Sequence, residues 1–219
     1  MKFFTVLTSL GAKERLALSF RHMNDDPQNH IRVIPPLLRR EVTLHEPYSG
    51  DYIHGYMVNA GFSENVMKWH RQHPGIPLRF FWDKWEEEPV KRVDNTLSFY
   101  QLDDVEFLRQ MAGCKAYAST AGFESVCEAM YLGKPILMVP AHIEQDCNAY
   151  DAEKSGAGII SSDFNLQQLL EFAKDYHPNR DFVYWVRGAE YTLLNLLESD
   201  SSNYQQVLFN EMYLVEEFI

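Results

Sequence analysis

The chain has 219 residues, 46% hydrophobic and 14% aromatic, which is ample core material for one domain or two small ones and too much for a disordered chain. A formal charge of −11 at pH 7, with no long basic cluster to offset it, excludes a nucleic-acid-binding surface. Cys114, Cys127 and Cys147 lack metal-ligand spacing and fit reduced thiols, and no apolar run approaches the roughly 20 residues needed to cross a bilayer, so the sequence reads as cytoplasmic.

Residues 1–49 do not read as a domain of their own. Leu7 to Gly11 suggests a strand or turn, 13–23 a short helix broken by Asn24-Asp25-Asp26-Pro27, and 31–34 a strand closed by Pro35-Pro36 and the charged Leu37-Leu38-Arg39-Arg40-Glu41. From Asp51 the rhythm is regular. A strand over 52–59 runs through the turn at Gly61 to a cap at Ser63 and a helix over 64–73, which Pro74-Gly75 ends. Strands follow over 78–82 and 96–100, separated by a charged loop over 83–92, and Asp103 caps a helix over 104–111. His70 and His73 are spaced i, i+3 but have no third ligand, so they read as a solvated helix face and no metal is expected. Nor is there an Asp-x-Asp triplet to hold a divalent ion on a donor.

The densest stretch begins with a strand over 115–119. Ala121-Gly122 then turns directly into a helix, Gly133-Lys134-Pro135 stops it, and 136–139 is a strand apolar at every position, as in sheets covered on both faces. Gly122, Ser125 and Glu128 fall three apart, so the serine and glutamate stack on adjacent turns beside the buried arc of Val126, Ala129 and Met130. A glycine turn opening a helix at the carboxyl end of a parallel strand suits a phosphate, because N–H groups and the helix dipole converge there. Ser125 can add a hydroxyl donor, and a carboxylate one turn deeper can accept from the two hydroxyls of a ribose. A polar loop leads to a helix over 146–154, then come an edge strand ending at Ile160 and a helix over 166–176 capped by Asn165. The alternation implies an α/β, Rossmann-like parallel sheet flanked by helices, over 50–180. Residues 182–197 are helical in pattern, and the aromatic stretch 203–219 calls for a surface to cover it.

The run from Ser119 to Asn148, STAGFESVCEAMYLGKPILMVPAHIEQDCN, resembles the nucleotide-sugar signature in the carboxyl-terminal domain of GT-B glycosyltransferases, the group containing UDP-glycosyltransferases and the peptidoglycan N-acetylglucosaminyltransferase. The resemblance implies one half of a GT-B fold. It places the nucleotide diphosphate at Gly61, Thr120, Gly122 and Ser125, the ribose at Glu128, the base along Tyr100, Gln101 and Leu102, and the donor sugar at Glu144 and Gln145. Thr120 stands where many members carry a basic or histidine residue. The implied function is the donor-binding half of a hexosyl or N-acetylhexosaminyl transferase. It binds a nucleotide-activated sugar, a UDP-sugar, without cofactor or metal, for transfer to an acceptor hydroxyl.

On this reading 1–49 is an interdomain linker or a remnant of an amino-terminal half, and 181–219 carboxyl-terminal helices with an aromatic tail. The partner is a missing amino-terminal domain or subunit through which a peripheral membrane contact could be made, and the chain alone is expected to be inactive. Alternatives are a UDP-sugar hydrolase or epimerase on the same half-fold, using His142 or Glu144 as base, or a non-catalytic donor-binding subunit of a split transferase. The general base is not identifiable from the sequence.

Overall fold

A computed structural model describes residues 7–84 and 88–198. The described residues fall into two compact units, one made of residues up to Leu37 together with those from Tyr184 onward, the other of Leu38–Val183. No helix among them is long and apolar enough to cross a membrane. The aromatic stretch 203–219 lies outside the described residues.

The first unit holds a parallel pair, β1 (Arg15–Leu18) beside β2 (Ile31–Ile34), in the register Arg15 to Ile31. The helix expected over 13–23 is therefore a strand, because β-branched Ile31, Val33 and Ile34 offer a ladder that outweighs a weak local preference. Between the two strands, the Asp26 carboxylate accepts from the Asn29 backbone N–H at 3.2 Å and from its side chain at 2.6 Å. Trp185 closes the unit, donating from Nε1 to the Ser19 carbonyl at 3.1 Å, with the His22 ring edge-on at 5.1 Å.

The second unit is a seven-stranded sheet among the described residues. In chain order its elements are α1 (Arg40–Leu44), β3 (Ile53–Met57), α2 (Ser63–Gln72), β4 (Leu78–Trp82), β5 (Val90–Arg92), β6 (Leu97–Gln101), α3 (Asp104–Gly113), β7 (Ala116–Ser119), α4 (Phe123–Tyr131), β8 (Ile136–Met138), α5 (Ile143–Lys154), β9 (Gly158–Ile160), α6 (Leu166–Phe172) and the start of α7 (Arg180–Arg187). Across the sheet the order is β5-β6-β4-β3-β7-β8-β9, parallel throughout except for β5. Without β5, that is the 3-2-1-4-5-6 order of a doubly wound Rossmann sheet, whose direction reverses between β3 and β7. The charged loop expected over 83–92 thus contains a strand, a short exposed edge whose Lys91 and Arg92 discourage further pairing.

The strands alternate their faces in the usual way. Phe80, Phe99, Ile53 and Leu137 face α2 and α6 through Val66, Trp69, Leu166 and Leu169, all at most 8% exposed. Burying each such aromatic or aliphatic chain contributes roughly 1.5–3 kcal/mol. Gly55 is required in β3 because a Cβ there would stand 2.2 Å from the Phe80 ring. On the opposite face His54, fully buried, lies among Phe107, Phe81 and Tyr117 at ring distances of 4.8, 5.3 and 5.4 Å. Neither His54 nitrogen has a hydrogen-bond partner. His70 is also buried, its Nε2 2.7 Å from Asp94 Oδ2, so the solvated helix face expected at His70 is corrected to a structural tie. Asp94 itself accepts from the N–H groups of Thr96 and Leu97, both at 2.8 Å, and pins the entry to β6.

Candidate functional site

β7 ends at Ser119 and the chain enters α4 at Phe123. Ala121 makes the turn in the left-handed region, at φ 61°, while Gly122 is extended at φ −63°, so the turn falls one residue before the glycine that the sequence suggested. A left-handed alanine costs about 1 kcal/mol or more and persists only where its surroundings hold it. Here the Ser119 hydroxyl accepts from the Ala121 N–H at 3.0 Å, and Asn148 donates from Nδ2 to the Ala121 carbonyl at 3.2 Å. Gly122 stands at the helix N-cap, where no side chain caps the first turn. A Cβ on it would meet nothing nearer than Ser125 Oγ at 3.6 Å, so packing does not demand the glycine; its absence of side chain leaves the helix terminus open.

That terminus borders a cavity of about 580 Å³ whose wall includes Arg39, Tyr56, Leu102, Asp104, Phe107, Gly122, Ser125, Glu128 and Glu144. The volume suits a small-molecule ligand. The helical period places Gly122, Ser125 and Glu128 in one line down the wall, as their spacing suggested. Ser125 donates to the Gly122 carbonyl at 3.2 Å, long for a hydroxyl and easily exchanged. Glu128 is 2% exposed, and both its oxygens are held by Arg39, Nε to Oε1 at 2.6 Å and Nη2 to Oε2 at 2.9 Å. The third guanidinium nitrogen, Nη1, lies 3.1 Å from Asp104 Oδ1. Burial pushes the Glu128 carboxyl above its ordinary value against the pull of Arg39, and the bond to Glu128 raises Arg39 in turn. Among the lining residues Arg39 is the single cation, facing the carboxylates of Asp104, Glu124, Glu128 and Glu144.

The model described as glycosyl transferase family 1 matches residues 10–176, more than half of the chain. The chain belongs to glycosyl transferase family 1. Its fold is similar to that of a glycosyltransferase of kitacinnamycin (TM-score 0.56, 14% identity, covering 80% of this chain and 50% of that one) and of the calicheamicin glycosyltransferase CalG4 (0.55, 14%, 78% and 48%). Arabidopsis thaliana UGT89C1, solved with quercetin, matches at 0.55 and 15%, covering 78% and 51%. A Caenorhabditis elegans protein named among the UDP-glucuronosyltransferases, ugt-48, is 26% identical over 105 residues, 47% of this chain and 20% of its own length. The family 1 chain therefore spans about half the length of these solved structures and a fifth of that relative, and its fold is the expected half of a GT-B glycosyltransferase.

Against this family 1 fold, the residues singled out in the sequence divide into two groups. Gly122, Ser125, Glu128, Leu102 and Glu144 share the cavity wall. Gly61, Thr120, Tyr100, Gln101 and Gln145 are not among its lining residues. Thr120 is fully buried, its hydroxyl accepting from the Val58 N–H at 3.4 Å and tying the exit of β3 to that of β7. Gly61 donates its N–H to Asn59 Oδ1 at 2.8 Å in the short turn after β3. Tyr100 and Gln101 lie in β6 between β4 on one side and the β5 segment on the other, where the ladder takes up the main chain; Leu102 is the first residue beyond it. Glu144 and Gln145, expected in a polar loop, lie in the first turn of α5, which begins three residues before the helix expected at 146. Gln145 accepts from the Ala141 N–H at 2.8 Å and is 6% exposed, whereas Glu144 faces the cavity. Sequence reasoning missed Arg39 and the bracing role of Asn148. Nothing local connects position 39 with position 128; the link appears only when the chain is folded.

Proposed function

We propose that the chain is the donor-binding half of a glycosyltransferase, holding a nucleotide-activated sugar, a UDP-sugar, in the α4 cavity for attack by an acceptor hydroxyl bound on another domain or subunit. The observation that carries the reading is the line formed by the uncapped helix terminus at Gly122, the Ser125 hydroxyl and the buried Glu128 carboxylate, at the point where the strand order reverses. Ligands of doubly wound sheets sit outside the carboxyl ends of the strands at that point. Family membership and the name of the related ugt-48 chain support a nucleotide-sugar as the ligand.

In this reading the diphosphate lies on the helix terminus, the ribose hydroxyls bond to Glu128, Leu102 borders the base, and Glu144 faces the sugar. The oriented N–H groups and the Ser125 hydroxyl stabilise the negative charge that builds on the departing diphosphate, an interaction stronger in the transition state than in the ground state. The general base and the acceptor belong to the other half of a GT-B fold, so residues 50–180 bind donor and this chain alone transfers nothing.

A thermal-shift panel of UDP, GDP, dTDP and their sugars tests the proposal. A ligand bound only to the native state adds RT ln(1 + [L]/Kd), about 2.7 kcal/mol at a hundredfold excess over Kd, so a weak site still registers. UDP and UDP-sugars are expected to raise the midpoint; failure of every nucleotide to move it removes the donor-site reading.

A further inference from the structure

The carboxylate assigned above to the ribose is not open to a ligand. Glu128 is 2% exposed, both oxygens are engaged by Arg39 at 2.6 and 2.9 Å, and the guanidinium lies over it with 36% of its side chain exposed. Arg39 reaches Glu128 from the segment that leads into α1, 89 residues away in sequence. A ribose cannot approach that carboxylate unless Arg39 withdraws.

The same wall poses an opposite difficulty for a diphosphate. Asp104, Glu124, Glu128 and Glu144 share the cavity wall with the helix terminus at Gly122, and the helix supplies only about half a positive charge. Arg39 is the single cation on the wall that can offset them. Ser125 and Glu128 are three residues apart on α4, a rise of about 4.5 Å along the axis, well within the swing of an arginine side chain. Guanidinium binds phosphate and carboxylate with the same planar fork, so one group can serve both partners in turn. Asp104, exposed and 3.1 Å from Nη1, offers a pivot outside the buried pair.

We propose that Arg39 is an exchangeable latch of the donor site: it caps Glu128 when the site holds no nucleotide, and on binding it moves to the diphosphate and releases Glu128 to the ribose. The inference rests on the donor-site reading, and it makes the diphosphate the key that exposes the ribose site. A nucleoside without phosphates has nothing to offer Arg39 and must break the ion pair uncompensated, so the site selects nucleoside diphosphates over nucleosides through Arg39 as well as through the helix terminus.

Calorimetric titration of the whole chain with UDP and with uridine, in the wild type and in Arg39→Gln, separates the alternatives. The latch predicts that Arg39→Gln binds uridine more tightly, because Glu128 is uncovered, while the preference for UDP over uridine falls by roughly tenfold or more, the worth of a charge-assisted contact to phosphate. A gain of equal size for both ligands would mean that Arg39 only plugs Glu128, and unchanged affinities would make it a bystander; either result overturns the latch and leaves the donor site standing. A wild-type chain that binds no UDP overturns the latch together with the donor site. If Arg39→Gln does not fold around a buried unpaired carboxylate, Glu128→Gln compared with the Arg39→Gln, Glu128→Gln double variant carries the test, and an unchanged preference between those two is equally fatal to the latch.

Discussion

Replacing Glu128 by alanine separates its structural and binding roles, provided that the ligand is varied along with the protein. In the free chain the substitution removes two charge-assisted bonds to Arg39, worth about 1.5–3 kcal/mol each when a partner stays buried and unpaired. Arg39, however, is 36% exposed on its side chain and keeps Asp104 at 3.1 Å, while a desolvated carboxylate disappears, so the net loss of stability is set at about 1–2 kcal/mol. Absolute UDP affinity is an ambiguous readout, because the variant loses the ribose bonds and also the cost of unseating Arg39. The difference between UDP and 2′-deoxy-UDP is free of that ambiguity. One charge-assisted bond to the 2′-hydroxyl amounts to about 1.5–3 kcal/mol, or roughly 10- to 150-fold in favour of UDP in the wild type. In Glu128→Ala the two ligands should bind alike. Calorimetry that finds the same UDP preference in both proteins would remove the ribose from Glu128.

Burial lowers the His54 pKa from 6.5 to about 3, so the folded chain holds the ring neutral while the unfolded chain takes up the proton first. Its contribution to stability is whole above about pH 6.5 and drains away as pH falls toward 3, by about 1.4 kcal/mol per unit; denaturant melts of His54→Leu at pH 7 and pH 5 should differ by about 2 kcal/mol less than those of the wild type, and identical slopes would refute the assignment. Lys134, 4% exposed, donates from Nζ to the Tyr48 carbonyl at 2.7 Å and the Cys114 carbonyl at 3.0 Å. Lys134→Met should cost about 2–4 kcal/mol and roughly 5–15 °C in midpoint by calorimetric scan, because two carbonyls lose a charged donor. The chain incubated with UDP-N-acetylglucosamine should release UDP no faster than buffer does; turnover well above that rate would show that Glu144 or His142 acts as a base without a second half.

The sheet was legible because buried parallel strands announce themselves. Ile136-Leu137-Met138 is apolar throughout, and Gly133, at φ 67°, closes α4 as the Gly-Lys-Pro run indicated. The line Gly122, Ser125, Glu128 was also legible, since a helix converts spacing into direction. Contacts between distant segments were not. The β1–β2 ladder needed a partner 13 residues beyond Leu18, and Lys13 to Met23 carried no local mark against a helix. Arg39 looked like one charge in a charged run, and its pairing with Glu128 depends on the placement of two elements in space. Gln145 carries a structural bond that its place in the signature did not announce: its carboxamide oxygen accepts from the Ala141 N–H. His70 was misjudged because a histidine on a helix is silent about an aspartate in the turn before β6 that pairs with it.

The claim on which the account rests is that a nucleoside diphosphate sits on the first turn of α4. Hydrogen exchange of the backbone amides, followed with and without saturating UDP, reports on that turn directly, since an N–H that donates to a phosphate stops exchanging with water at its free rate. The account predicts slowed exchange at Glu124 and Ser125 and at Leu102. Exchange at the head of α4 that is the same with and without UDP, while UDP demonstrably binds, would place the nucleotide elsewhere and contradict it.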